Sequence, residues 1–258
     1  MISADMKIDL GGKHILVTGG SRGIGAGICR QLMASGAKVA IHCNHARGAA
    51  EALAEDYPGL GQVFQADLSA ASGCAHLMDE VLASFGKLDV LVNNAGVALH
   101  SELNQEEVDW LADWEKTMAV NLTAVGLLSR RAILHFQEAG KGGRLIHISS
   151  RAAFRGDTGE YLAYAASKAG MVALHRSIAR GYGKVGIKSF LIAPGFVRTD
   201  MAQDFIDTYG EEYAVSDLAL NRLTEPKDLA PMVAFLASGL ADHATGSSID
   251  INAGSYVH

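Results

Sequence analysis

Cysteine, proline, charge and long apolar runs are all scarce in this chain of 258 residues. The three cysteines, Cys29, Cys43 and Cys74, have neither CxxC spacing nor even parity. That argues against a disulfide framework and for buried thiols in a reducing cytoplasm. Charged residues make up only 19%, and the net charge of −6 lacks the basic excess of a general nucleic-acid binder. No uninterrupted apolar run reaches the ~18 residues of a membrane span. The opening MISADMKIDLGGKH offers no signal-peptide core, so a cytoplasmic protein without membrane or nucleic-acid partners is expected. What is plentiful is hydrophobic residues, 49%, and 29 glycines against four prolines. Such a composition excludes a disordered or collagen-like chain and suits a large packed core.

Short apolar runs alternate with helical patterns from end to end. The runs are 14–18, 38–43, 62–66, 88–92, 144–149, 187–193 and 248–252, most of them apolar at consecutive positions as in strands covered on both faces. Between them lie helical stretches at 25–35, 46–57, 71–85, 111–139, 160–184 and 227–238. This alternation predicts an α/β fold, a sheet of about seven parallel strands wound on both faces by helices. Nothing divides the chain, so one domain is expected over 1–258. The segment 196–224 breaks the alternation and reads either as a flap over a ligand or as a pair of surface helices.

Directly after the first run comes Thr18-Gly19-Gly20-Ser21-Arg22-Gly23-Ile24-Gly25, leading into a helix. Glycines allow close backbone approach to a pyrophosphate, and the helix start supplies unpaired N–H groups and a positive dipole. This strand–turn–helix setting is what a dinucleotide fingerprint requires. The second run ends His42-Cys43-Asn44-His45-Ala46-Arg47, with no acid to hold a free ribose 2′-hydroxyl. Arg22 and Arg47 are available to a 2′-phosphate, although either could be an ordinary solvated residue. NADP(H) is therefore expected over NAD(H).

Tyr164 and Lys168 stand four apart on a helical pattern and share its face. A cation about 4 Å from a phenol, at an effective dielectric of ~20, is worth ~4 kcal/mol. Lys168 is therefore expected to lower the Tyr164 pKa. Asn93-Asn94-Ala95-Gly96 follows the fourth run, Asn121 lies in the long helix, and Ser149-Ser150 closes the fifth run. With the glycine loop and the Tyr–Lys pair in that order, the whole chain resembles the short-chain dehydrogenase/reductase family, and most of all its 3-oxoacyl-carrier-protein reductases.

The resemblance implies a Rossmann-type fold and transfer of hydride between nicotinamide and a ketone or secondary alcohol. It makes Tyr164 the proton donor, Lys168 the ribose-holding cation, and Asn121 the group that positions a relay water. Ser150 would orient the carbonyl. It stands one position farther from Tyr164 than is usual in the family, as if one residue were inserted within 151–163, which leaves Ser149 as the alternative. The implied cofactor set comprises Gly19, Ser21, Arg22, Gly23, Ile24, Gly25, Asn44 and Arg47. It continues with Asp67 and Leu68 beside the adenine, then Asn93, Asn94, Ala95 and Gly96. Pro194, Gly195, Val197 and Thr199 complete it beside Tyr164 and Lys168. Tyr161, whose partner four residues on is Ala165, is a decoy, and the histidines show no metal-ligand spacing. A catalytically silent cofactor-binding sensor is the competing class, and the retained Tyr and Lys speak against it. Acyl-carrier, steroid, sugar and small-ketone substrates all stay open. Lys141, Arg144 and Lys184 are candidates for a basic patch toward an acidic carrier. Asp200, Asp204, Asp207, Glu211 and Glu212 in the flap would oppose it. A homodimer or homotetramer built on 111–139 and 160–184 is the implied assembly.

Overall fold

The computed structural model describes residues 8–199 and 210–257. Seven strands form: β1 (His14–Val17), β2 (Lys38–Cys43), β3 (Gly61–Gln65), β4 (Val90–Asn93), β5 (Gly143–Ile148), β6 (Ile187–Pro194) and β7 (Ser248–Ile251). They pair in parallel in the order β3-β2-β1-β4-β5-β6-β7. The helices are α1 (Gly23–Ala34), α2 (Arg47–Glu55), α3 (Ala71–Phe85), α4 (Glu107–Met118), α5 (Ala124–Ala139), α6 (Ala152–Arg155), α7 (Leu162–Tyr182), α8 (Glu211–Val215) and α9 (Pro226–Ser238).

Consecutive apolar residues serve both faces of the sheet. Ile15 and Val17 join the core under α1, α2 and α9, while Leu16 between them joins the core under α3 and α5. All three are fully buried. Truncating any one to Ala would cost roughly 2–5 kcal/mol, because both layers are closed around it. This double burial explains why the runs lack polar alternation.

From β1 the sheet extends through β2 and β3 on one side and through β4 to β7 on the other. The loops after β1 and β4 therefore diverge, opening a crevice at the strands' carboxyl ends. The helix expected at 111–139 begins earlier, at Glu107, and is interrupted by a π-helical turn, Ala119–Thr123, that carries Asn121. Of the segment 196–224, residues 200–209 lie outside the described residues. Its remainder contains α8 and a small apolar cluster of Ala214 and Leu223 with Phe196, Val215 and Leu218. Arg151 and Arg155 both pair with Asp217 there, at 3.1 and 3.5 Å. No helix among the described residues is long and apolar enough to cross a membrane.

Candidate active site

The glycine loop is built against the turn after β4. The Thr18 hydroxyl accepts the backbone N–H groups of Asn94 and Ala95 at 2.9 and 3.0 Å. The Asn94 side chain donates to the Thr18 and Gly19 carbonyls at 2.9 and 3.0 Å. Gly19 has φ +62°, a left-handed backbone, and a Cβ on Gly25 would lie 1.9 Å from the Gly19 carbonyl. Only glycine is tolerated at these two positions. No side chain caps the first amides of α1, and Gly23, Ile24 and Gly25 at that end line the crevice.

A cavity of about 650 Å³ occupies this crevice. Gly19, Ser21, Arg22, Gly23, Ile24 and Gly25 form one wall, Asn94, Ala95 and Gly96 a second, and Asp67 and Leu68 the far end. Asn44 and Thr199 also reach it. Backbone and side-chain hydrogen bonds from Ser69 hold the Asp67 carboxyl below its ordinary range.

Several expected members stand elsewhere. Arg47 is not on the wall; its Nε donates to Glu51 at 2.8 Å on the exposed face of α2. Asn93 points into the core, where its amide meets Ser129 Oγ and His147 Nδ1, each at 3.3 Å, so its neighbour Asn94 is the lining residue. Pro194, Gly195 and Val197 are not on the wall, and the Gly195 N–H donates to the Ile251 carbonyl at 3.1 Å. The sequence reading missed His42, Cys43, His45, Ser69, Val97 and Lys116, all of which line the cavity. Most sit within a residue or two of named positions, so strand ends could have revealed them. Lys116 is brought in by α4 and left no local signal.

The polar cluster abuts the cavity across Gly96. A Cβ there would lie 3.3 Å from both Lys168 Nζ and Asn121 Oδ1. Tyr164 and Lys168 share the inner face of α7, with Nζ 5.7 Å from the phenol ring centre. Lys168 donates to the Ile148 carbonyl at 3.0 Å, and burial lowers its pKa to about 8. Burial raises the Tyr164 pKa, and a hydrogen bond with the Ser150 hydroxyl opposes that rise. The expected lowering by Lys168 is thus not seen: the influences on the phenol are its burial, Ser150 and Asp157, and the Lys168 ammonium is turned to a backbone carbonyl. The Ser149 hydroxyl instead donates to the Lys168 carbonyl at 3.1 Å. The Asn121 amide is taken up by Val97, accepting its N–H and donating to its carbonyl, each at 2.8 Å. It also donates to Ser167 Oγ at 3.1 Å. Tyr161 packs its ring edgewise on His100. No group of three or more metal-ligating side chains occurs among the described residues.

The uncapped amides of α1, two positions closed to any Cβ, and a long cavity fit a dinucleotide pyrophosphate with its sugars to either side. Fold and site together define a dinucleotide-binding α/β protein in which Tyr164, Lys168 and Ser150 stand beside the cavity.

Comparison with known proteins is consistent with that class. A family model described as enoyl-(acyl carrier protein) reductase matches residues 19–256. The 3-oxoacyl-(acyl-carrier-protein) reductase of Chlamydia pneumoniae is 35% identical over 253 residues, covering 96% of this chain and 99% of that protein. The 3-ketoacyl-(acyl-carrier-protein) reductase of Brucella melitensis, solved with NADH, superposes with a TM-score of 0.87 at 28% identity, covering 96% of this chain and 100% of the other. A blue fluorescent protein from a metagenomic library, solved with NADPH, gives 0.87 at 34% identity over the same shares. The chain belongs to the short-chain dehydrogenase/reductase family.

Proposed function

We propose that this protein is an NADP(H)-dependent oxidoreductase interconverting a ketone and a secondary alcohol, with a 3-oxoacyl thioester as the foremost substrate class. The observation that carries the reading is Tyr164 with the Ser150 hydroxyl acting on its phenol and buried Lys168 5.7 Å from its ring centre, Lys168 meeting the cavity wall at Gly96. When bound, the nicotinamide supplies or accepts the hydride. Ser150 and Tyr164 present two O–H groups to one substrate oxygen, and Tyr164 gives it the proton as negative charge develops. Lys168, charged below about pH 8, attracts that developing charge and holds the cofactor ribose. With the Asn121 side chain engaged by Val97, its contribution to a water relay is through its backbone in the π-helical turn.

The cofactor set is the one on the cavity wall, with Arg22, Asn44 and His45 toward a 2′-phosphate. We keep a single domain with 196–224 as its flap, a reading that falls in part on residues outside those described. Of the cations considered for an acidic carrier, Arg144 is committed to Asp242 through bonds of 2.8 and 2.9 Å, which leaves Lys141 and Lys184. The binding-only reading gains nothing, because both Tyr164 and Lys168 are placed for chemistry. The three buried free thiols suit a reducing cytoplasm. Val108, Leu111 and Leu134 expose apolar surface along α4 and α5, beside the stacked Trp110 and Trp114, and favour a homodimer or homotetramer.

NADPH oxidation on a panel of 3-oxoacyl thioesters, enoyl thioesters and simple ketones tests the activity. Turnover of 3-oxo substrates is expected; tight NADPH binding with no turnover on any ketone would overturn it. Sedimentation showing only monomer at micromolar concentration would count against the assembly.

A further inference from the structure

We propose that His42 is a positioning residue for nucleotide binding, its imidazole fixing the glycine loop against the β3 wall of the cavity. This rests on the reading above that the cavity takes a nicotinamide dinucleotide. His42 is the last residue but one of β2 and is buried in an otherwise apolar run. A buried ring with two polar atoms needs partners, and here both are found in the backbone.

The His42 Nε2 lies 3.0 Å from the Ala66 carbonyl. A carbonyl only accepts, so Nε2 carries the ring proton and Nδ1 is an acceptor. Nδ1 takes the Gly19 N–H at 3.0 Å. The next amide, Gly20, donates to the His42 carbonyl at 2.8 Å. One residue thus draws two loop amides away from the ligand and leaves the amides of α1 to meet phosphate. Ala66 directly precedes Asp67 and Leu68, which form the far end of the cavity. A single side chain therefore ties the pyrophosphate cradle to the adenine end. Burial depresses the imidazole's pKa and keeps it in the neutral form that this arrangement needs.

The test is fluorescence titration of NADPH and NADH into the parent, His42→Leu, His42→Asn and His42→Gln. The Leu variant should raise the dissociation constant about tenfold, equally for both cofactors, since the pyrophosphate is common to them. Asn places its amide oxygen one bond from Cγ, as imidazole places Nδ1, and should restore most of the affinity. Gln carries its amide one carbon farther out and should not. Equal affinity of parent and Leu variant overturns the inference and leaves the proposed function standing. If the Leu variant does not fold, Asn binding no more tightly than Gln overturns it. A parent that binds neither cofactor overturns the proposed function and this inference together.

Discussion

The Ser150 hydroxyl acts on the Tyr164 phenol across the loop that joins β5 to α7, opposing the rise that burial imposes on the phenol's pKa. That loop holds the short helix α6, Gly156 at φ +80°, and a 3₁₀ turn at Gly159–Tyr161. Ser149, one residue earlier, faces the opposite way and binds the Lys168 carbonyl. Ser150→Ala should therefore lower kcat by about 10²–10³, as expected for loss of a donor to a developing alkoxide. Ser149→Ala should leave kcat near parental and cost about 1 kcal/mol of stability. Steady-state kinetics and urea denaturation on the two variants check the assignment; the reverse pattern would make Ser149 the catalytic serine.

Tyr164→Phe keeps the ring and removes the proton donor. Turnover should fall by at least ~10³, while NADPH affinity measured by fluorescence stays close to parental. More than a tenth of parental turnover in this variant would refute the mechanism.

The raised phenol pKa keeps Tyr164 protonated at and above neutrality, whereas Lys168 loses its charge above about pH 8. Ketone reduction should accordingly decline on the alkaline side near pH 8. Lys168→Arg, whose charge persists, should move that limb upward even if its overall rate is lower. An alkaline limb in the same place in both proteins would show that Lys168 does not set it.

Cofactor preference should rest on Arg22. Its residue lines the cavity, while Arg47 is paired with Glu51 away from it. Arg22→Ala should reduce the NADPH-over-NADH ratio about tenfold or more, the worth of one charge-assisted phosphate contact at ~1.5–3 kcal/mol. Arg47→Ala should change it little. Titration of both variants with both cofactors decides, and the opposite ranking would place the phosphate beside α2.

The sheet was legible because its inner strands are buried on both faces, which leaves continuous apolar runs such as Ile15–Val17, while the edge strands β3 and β7 keep exposed positions at Gln62, Gln65 and Asp250. The glycine loop and the Tyr164–Lys168 pair were legible because their chemistry depends on spacing along one element. The pairing of Arg47 with Glu51 was not legible, because a sequence does not show that a neighbouring acid has taken a cation. Asn93 and Asn94 are adjacent, and only the pleat of β4 decides which faces the cavity. His42 gave no signal, since its importance lies in two backbone groups distant in sequence. Lys116 arrives from α4 through tertiary packing alone.

Acid stability offers a last prediction, independent of activity. His147 and His175 are fully buried, and burial lowers their pKa values to about 3 and about 4. The Asn93 amide donating to His147 Nδ1 fits a neutral ring. In the unfolded chain the same imidazoles titrate at the ordinary value of 6.5. Above that pH neither state is protonated, and the stability is fully present. Between 6.5 and about 4 only the unfolded state takes up protons, so stability falls as pH falls. Around pH 5 these two histidines should remove about 2–3 kcal/mol per pH unit. Carboxylates held low in the fold act in the same direction but lower down, Asp228 at about 2 below its ordinary 3.8 and Glu160 and Glu225 below their ordinary 4.5. The two windows are therefore separable. Urea denaturation at several pH values from 7.5 to 4.5 should show the slope, and His147→Gln should reduce it by one proton's worth. A parent whose stability is level across that range would mean that these rings are protonated in the fold.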